Sequence, residues 1–346
     1  MQKIPYGISD FSRISKDDFY FVDRTQYIEK LEMLGEPYLF FLRPRRFGKS
    51  LWISLLQHYY GIEHKGDFEA LFGKYYIGQH PTPLANSYLV LRMEFSRIDT
   101  TTPEGTYRGF LTNTLVGVEQ FLNKYSAYYH EKNVADILSK KAPEEVLKAL
   151  FTASAPLPHA LYLLIDEYDH FANELVSFNL DYFSEIVASN GFVRKFYETL
   201  KTATGEGVLD RIFITGVTPL TLDSLTSGFN IGSDLSRDEH LQAMMGFTGE
   251  EVSGLLSDVG VSEADLEETL GQVKKWYDGY QFSIRPSNGG LYNPDMVLYF
   301  AKHYLRYRRA PDEMLDTNIA SDYGKIKKLF SIGGMGNERF GVLERL

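Results

Sequence analysis

The residues with the clearest chemical potential are Gly48, Lys49 and Ser50, which follow a short apolar run at residues 38–42. They match the end of the phosphate-binding pattern G-x-x-x-x-G-K-[ST], in which Arg43 takes the place of the first glycine. Glycine at position 48 lets the backbone approach a phosphate, and the start of the next helix offers free N–H groups to an anion. We expect Lys49 to reach the β- and γ-phosphate oxygens and the Ser50 hydroxyl to complete the shell of a Mg²⁺ ion.

The loop as a whole is predicted to bind the phosphates of ATP. Arg45 and Arg46 add positive charge without a nearby acid, so a bound anion would relieve their repulsion. The predicted nucleotide contacts are Arg43, Pro44, Arg45, Arg46, Phe47, Gly48, Lys49, Ser50 and Leu51. Because the first glycine is missing and G-K-S strings are common, the loop alone leaves a chance match open.

A second chemical group follows the apolar run at residues 161–165, where Asp166 and Glu167 are adjacent. Apolar residues followed by two acids have the Walker B form, and in a parallel sheet such acids lie at the ligand-binding edge. We expect Asp166 to hold Mg²⁺ through water and Glu167 to orient and polarise the attacking water, with Asp169 as an additional partner. The alternative is that these acids cap the next helix. The order of the two motifs, about 115 residues apart, favours the nucleotide interpretation.

The apolar runs predict the elements that position these residues. Buried strands are expected at residues 38–42, at 88–91 running on to Met93 and Phe95, at 161–165 and at 211–215, and the first three are followed by helical periodicity. This alternation predicts an α/β fold, with a parallel sheet flanked by helices.

Beyond about residue 240 the pattern changes to short helical segments. Thr248 and Glu251 have capping-box spacing, Pro294 marks a helix start, and residues 276–282 read as an aromatic turn or small hairpin. We therefore predict two domains, residues 1–238 and 239–346, the second smaller and mostly helical.

The composition disfavours several classes of partner and site. The 346 residues carry 36 Lys and Arg against 46 Asp and Glu, and this net charge of -10 disfavours a polyanion as a partner of the whole chain. No cysteine is present, and the eight histidines show no metal-binding spacing. No apolar run is long enough to span a membrane and no signal-peptide core is visible. We expect a cytoplasmic protein with no membrane partner.

Several segments together resemble the bacterial AAA-ATPase-like family of P-loop NTPases. They are residues 21–25 (FVDRT), 42–50 (LRPRRFGKS), 164–169 (LIDEYD), 214–217 (ITGV), 276–280 (WYDGY) and 292–294 (YNP). The resemblance implies an AAA-like ATPase domain that binds ATP and Mg²⁺ without the first loop glycine, and a C-terminal lid or winged-helix-like domain. Many relatives also carry a C-terminal PD-(D/E)XK nuclease-like domain. The chain leaves no room for one after about residue 330, so we expect no nuclease activity.

Several smaller signals each leave more than one interpretation open. Thr215 ends the fourth apolar run, where AAA-like proteins place a polar sensor of the γ-phosphate, although a strand-ending turn is the alternative. Residues 23–25 either approach the base or ribose or cap a helix. The basic and aromatic run at 302–309 is either a nucleic-acid contact or an ordinary solvated helix face. An arginine finger among Arg194, Arg211 and Arg237 stays undecided.

Three hypotheses follow. The first is an ATPase in which Glu167, Lys49 and Thr215 are catalytic, Ser50 and Asp166 hold the metal, and hydrolysis moves the C-terminal unit. The second is a nucleotide-gated interaction module with little turnover, for a protein or nucleic-acid partner. The third is a scaffold that binds no nucleotide. A homo-oligomer is compatible with each of them.

Overall fold

A computed structural model describes residues 2–188, 190–219, 229–283 and 289–315. The chain forms two compact units. We call Ile28–Pro44 with Trp52–Leu235 the sheet unit, and Met1–Tyr27 with Arg45–Leu51 and Ser236–Leu346 the chain-end unit. The division at residue 238 predicted from the sequence remains a proposal.

The sheet unit contains a five-stranded parallel sheet in the order β2-β3-β4-β1-β5. Its strands are β1 (Tyr38–Leu42), β2 (Leu89–Glu94), β3 (Leu161–Asp166), β4 (Leu209–Gly216) and β5 (Ser233–Asp234). All residues of β3 are buried, as a strand covered on both faces requires. The four strands predicted from apolar runs are confirmed, whereas the two-residue β5 was not predicted.

Helices flank this sheet, as predicted. In chain order they are α2 (Gln26–Met33), α3 (Lys49–Tyr60), α4 (Phe68–Phe72), α5 (Tyr76–Gln79), α6 (Pro103–Lys124), α7 (Glu131–Ser139), α8 (Pro143–Ser154), α9 (His170–Phe178), α10 (Leu180–Val187) and α11 (Phe192–Gly205). Short 3₁₀ turns lie at Ile62–Asp67 and Ser126–Tyr128. Leucine, isoleucine and aromatic side chains from the strands and helices form one continuous core in this unit.

The chain-end unit is mostly helical. It contains α1 (Phe11–Lys16), a 3₁₀ turn at Gln242–Met244, α12 (Gly249–Asp258), α13 (Glu263–Tyr277) and α14 (Pro294–Tyr307). Thr248 and Glu251 form the predicted capping box at the start of α12, and Pro294 is the first residue of α14. A second hydrophobic core is built from α12, α13 and α14. Among the described residues, no helix has the length and hydropathy to cross a membrane.

Candidate functional site

The carboxyl ends of β1, β3 and β4 lie at one edge of the sheet, because these three strands are parallel and adjacent. Leu42, the last residue of β1, is in register with Gly216 at the end of β4. The N–H of Arg43 then donates to the Gly216 carbonyl oxygen at 3.1 Å. Since β3 ends at Asp166, the sheet brings the start of the phosphate loop and the predicted Walker B acids to the same edge.

Asp166 and Glu167 form the acidic end of β3. Asp166 is 2% exposed, and its Oδ1 accepts the N–H of Glu167 at 3.0 Å. Glu167 has a φ of 51°, in the left-handed region that a residue with a Cβ rarely adopts. The N-cap of α9 is Asp169, so neither acid caps that helix. Helix capping therefore does not account for Asp166 or Glu167, and backbone strain of this kind is concentrated at functional sites.

Asp169 organises the chain where it leaves β4. Its carboxylate accepts the N–H of Val217 at 3.1 and 3.0 Å, the N–H of Thr218 at 2.6 Å and the hydroxyl of Thr218 at 2.9 Å. The Asn173 amide donates to the same carboxylate at 2.8 Å. A Cβ at Gly216 would overlap the Asp169 carboxylate, so this position requires glycine. The end of β4 is thus fixed by a buried acid from the segment after β3.

Thr215 lies at this edge with its hydroxyl directed across the sheet. The side chain is fully buried, and its Oγ1 donates to the carbonyl oxygen of Phe41 on β1 at 2.7 Å. This bond links the strand before the phosphate loop to the strand that ends at Gly216. The sensor role of Thr215 stays a prediction.

Arg43 stands where the phosphate-loop pattern has its first glycine, and its side chain is 1% exposed. The guanidinium lies 4.0 Å from the centre of the Phe41 ring, and its Nη1 donates to the Leu42 carbonyl oxygen at 2.8 Å. Burial lowers the pKa of Arg43 to about 9, and the charge of Asp234 acts in the opposite direction. The guanidinium therefore remains a cation at neutral pH and packs within the sheet unit.

The remaining loop residues, Arg45–Leu51, belong to the chain-end unit. Arg46 and Gly48 have φ angles of 70° and 91°, so two of the residues before α3 are left-handed. Lys49, the first residue of α3, is 7% exposed. The first turn of α3 contains no acid, and the N-terminal end of a helix carries a partial positive charge that favours a bound anion.

Other predicted residues have structural partners. Asp23 Oδ1 accepts the N–H and the hydroxyl of Thr25 at 2.9 and 2.6 Å, which is a local turn before α2. Arg194 pairs with Glu198 along α11 at 2.9 Å. Arg211 lies near the start of β4, at the sheet end opposite Asp166, which argues against it as a finger within its own subunit.

The basic run at 302–309 is largely engaged within its own unit. Arg308 donates to the Val259 carbonyl oxygen at 2.7 Å, and Arg309 pairs with Asp312 at 2.6 Å. These contacts support the interpretation as an ordinary helix face. In the described part of the chain, no group of three or more His, Asp or Glu side chains is placed to hold a metal ion.

Comparison with known proteins decides the family. The family model described as Predicted AAA-ATPase (AAA-ATPase-like) matches residues 5–226. The chain belongs to this AAA-ATPase-like family. The family match covers β1, β2, β3 and β4, the phosphate loop and the acids after β3.

Two individual proteins are similar to this AAA-ATPase-like chain. A curated relative, "Uncharacterized protein in vnfD 5'region" of Azotobacter chroococcum mcd 1, is 27% identical over 310 residues, which are 88% of this chain and 53% of the relative. The chain thus spans about half the length of that relative. The crystal structure of Cdc6p from Pyrobaculum aerophilum aligns with 13% identity and a TM-score of 0.41, covering 83% of this chain and 63% of that one.

Two sets of contacts near these motifs were not predicted from the sequence. The first is the set of acceptor contacts that Asp169 makes with Val217 and Thr218. The second is the packing of Phe47 against residues of the chain-end unit. Both sets join residues that are distant in the sequence. The aromatic content of residues 276–282 was the one sequence feature that could have indicated the Phe47 packing.

Proposed function

We propose that this AAA-ATPase-like chain binds ATP and hydrolyses it with Mg²⁺. One observation carries the proposal: β1 leads directly into the phosphate loop, and β3 ends at Asp166, with Glu167 next, at the same edge of the sheet. In open parallel sheets, ligands bind outside the carboxyl ends of the strands.

The proposed binding site uses the phosphate loop and the start of α3. Gly48, with its left-handed φ of 91°, directly precedes the N-terminal turn of α3, the end of a helix that favours a bound anion. Lys49 supplies a positive charge for the β- and γ-phosphates. Arg45 and Arg46 add positive charge, but an acid does lie near, because Asp295 is 3.8 Å from Arg46 and offsets part of that charge. The Arg43 cation is held within the sheet unit. We therefore assign the loop backbone and Lys49 the main part of the binding energy.

The residues present suit a magnesium ion. Asp166 is a buried carboxylate with one oxygen engaged by the Glu167 N–H, and Ser50 follows Lys49 in the first turn of α3. Mg²⁺ keeps several waters and needs only one or two protein oxygens beside the substrate phosphates, so it does not require a cluster of acids. The ion would neutralise the charge that develops on the phosphate oxygens.

Glu167 is the proposed base that orients the attacking water. Its left-handed φ of 51° distinguishes it from Asp166, and we assign the two adjacent acids separate tasks. Thr215 is the proposed sensor, and donation to the γ-phosphate would require its hydroxyl proton to leave the Phe41 carbonyl oxygen. We further propose that ATP hydrolysis moves the C-terminal helical part of the chain. A protein or nucleic-acid partner is not required for this motion.

Two variants test the proposal. Lys49→Ala should abolish ATP binding, because it removes the phosphate-binding cation, while Glu167→Gln should bind ATP and fail to release phosphate. Binding is measured by calorimetry with ATP and Mg²⁺, and turnover by steady-state phosphate release. Asp181→Asn, an exposed change in the first turn of α10, is the control. Normal hydrolysis by Glu167→Gln would remove Glu167 from the mechanism.

The same measurements distinguish the two other hypotheses. Tight ATP binding without phosphate release, with DNA or RNA present or absent, would favour a nucleotide-gated interaction module. A wild-type protein whose melting temperature does not rise with ATP and Mg²⁺ would favour a scaffold, since a ligand that binds only the native state must stabilise it.

A further inference from the structure

Phe47, in the middle of the phosphate loop, is buried in an aromatic socket of the chain-end unit. Its side chain is 1% exposed, although it lies between Arg46, which is exposed, and Gly48. The Phe47 ring packs edge-on against Tyr280, with centroids 4.7 Å apart, and against Phe282, with centroids 5.4 Å apart. Aromatic pairs of this geometry stabilise beyond the area they bury. The loop is therefore anchored by a buried aromatic side chain.

The aromatic socket consists of Tyr280, Phe282 and Leu291, and paired backbone segments hold it together. Tyr280 and Leu291 exchange two antiparallel hydrogen bonds, at 3.2 and 2.8 Å. Phe247 and Tyr292 form a second antiparallel bridge, at 3.1 and 2.8 Å. The turn predicted at residues 276–282 is thus only partly right: Trp276 and Tyr277 are the last two residues of α13, and Tyr280 contributes one side of a small strand pair.

Gly246 closes the socket beside the Phe47 ring. It has a φ of 103°, and a Cβ there would come within 3.2 Å of both Phe47 and Leu291. Arg24 fixes this segment, since its guanidinium donates to the Gly246 carbonyl oxygen at 2.9 Å and to Glu251 at 2.6 Å. The fit of Phe47 therefore depends on the N-terminal segment as well as on residues after 240.

The start of α14 makes a second contact with the loop. Asn293 caps α14, its Oδ1 accepting the N–H of Asp295 at 3.1 Å, and its amide donates to the Arg45 carbonyl oxygen at 3.4 Å. Asp295 lies 3.8 Å from the guanidinium of Arg46, which has the left-handed φ of 70°. Both polar contacts are long, so the Phe47 ring is the principal anchor and these contacts orient the backbone on either side of Arg46.

We propose that Tyr280, Phe282 and Asn293 are positioning residues for the phosphate loop, which they hold in the conformation that binds the triphosphate. The inference rests on the proposed ATP binding. It gives the WYDGY and YNP segments a shared task, since Tyr280 belongs to the first and Asn293 to the second. A loop fixed before ligand arrives loses less entropy on binding, so nucleotide affinity depends on residues far from the phosphates.

The main test removes one wall of the socket. Tyr280→Leu keeps an apolar side chain but loses the aromatic edge contact, and we expect the Kd for ATP with Mg²⁺ to rise about tenfold. Tyr280→Phe retains the ring and should restore affinity to within about threefold of wild type. Recovery by the ring-retaining variant is the result that a merely destabilised fold would not give, and far-UV circular dichroism checks that each variant is folded.

A second variant keeps the test decisive if Tyr280→Leu does not fold. Asn293→Ser retains a side-chain oxygen that caps α14 but lacks the amide that reaches Arg45, and we expect ATP to bind about threefold more weakly. Asn133→Ser, on the exposed face of α7, is the matched control and should leave affinity unchanged.

The outcomes separate this inference from the proposed function. If wild-type protein does not bind ATP, the proposed function fails first. If wild type binds ATP and the folded Tyr280→Leu and Asn293→Ser variants bind it equally well, the positioning role is overturned.

Discussion

The carboxylate of Asp169 accepts the backbone N–H of Thr218 at 2.6 Å, which ties the residues after β3 to the residues after β4. With the two contacts to Val217, it supplies acceptors for backbone donors that are partly buried. The N–H of Tyr168 also donates to the Thr215 carbonyl oxygen at 3.2 Å, so the Asp169 side chain and the backbone together join the segment after β3 to the end of β4.

Asp169→Asn should be strongly destabilising. The asparagine amide has one acceptor oxygen where the carboxylate has two. Its NH₂ group would face backbone N–H groups that the carboxylate accepts in the wild-type protein. The free energy of unfolding should therefore fall by about 2–4 kcal/mol. Urea denaturation measures this loss. Asp181→Asn, exposed at the start of α10, should change stability by no more than about 1 kcal/mol. Equal stability of the two variants would show that the Asp169 contacts contribute little.

Thr215→Val separates the sensor role of Thr215 from its structural one. Valine has a similar shape but cannot donate to Phe41, so the loss of one buried hydrogen bond should cost about 1 kcal/mol of stability. If Thr215 also senses the γ-phosphate, the rate of phosphate release should fall at least tenfold with ATP affinity little changed. Thr215→Ser retains the hydroxyl and should keep both properties. A valine variant with wild-type turnover would leave Thr215 with a structural role alone.

The left-handed backbone of Glu167 predicts an unusual order of stability. Glu167→Ala and Glu167→Gly both remove the carboxylate, but only glycine adopts a φ of 51° without a steric penalty. We expect the glycine variant to be about 1 kcal/mol more stable than the alanine variant in urea denaturation. At most positions in a protein, glycine is less stabilising than alanine. An alanine variant more stable than the glycine variant would mean that the backbone relaxes at position 167.

His64 should make stability fall in mild acid. Burial lowers its pKa from 6.5 to about 4, and the neighbouring His58 acts in the same direction while the charge of Glu63 opposes both. Lys124 lowers and Asp67 raises the pKa to a smaller extent. Between these pH values the unfolded chain binds more protons than the folded one, so stability decreases as the pH is lowered through that range.

The matched comparison for His64 is His64→Gln, which removes the titrating group. Between about pH 7.5 and about pH 4.5, wild type should lose about 2 kcal/mol more stability than the variant. Urea denaturation at the two pH values measures the difference. The same loss in both proteins would assign the acid sensitivity to other groups.

Much of the sheet could be predicted from the sequence because its signals are local. The apolar runs of β1 and β3 are continuous, as strands buried on both faces require, and the Thr248 to Glu251 capping box is a four-residue pattern. β5 escaped prediction because a two-residue strand has no periodicity. Helix α1 was likewise missed, although Asp10 caps it with two hydrogen bonds.

The sequence predicts which residue types form the candidate site, but not the contacts and backbone angles that hold those residues in place. A motif names Lys49 or Asp166 because the chemistry fixes the residue at a given spacing. The folded-back side chain of Arg43 and the strained φ of Glu167 follow from packing, which spacing does not encode. The Phe47 anchor joins positions separated by most of the chain, beyond any local pattern.

That long separation has a consequence for biosynthesis. Phe47 emerges from the ribosome about 230 residues before Tyr280, so a nascent chain carries the loop for most of its synthesis without the ring that anchors it. The strands up to β5 have all been made by then, and the central sheet can assemble first. The loop can therefore acquire its aromatic contacts only late in synthesis, after the strands of the sheet have been made.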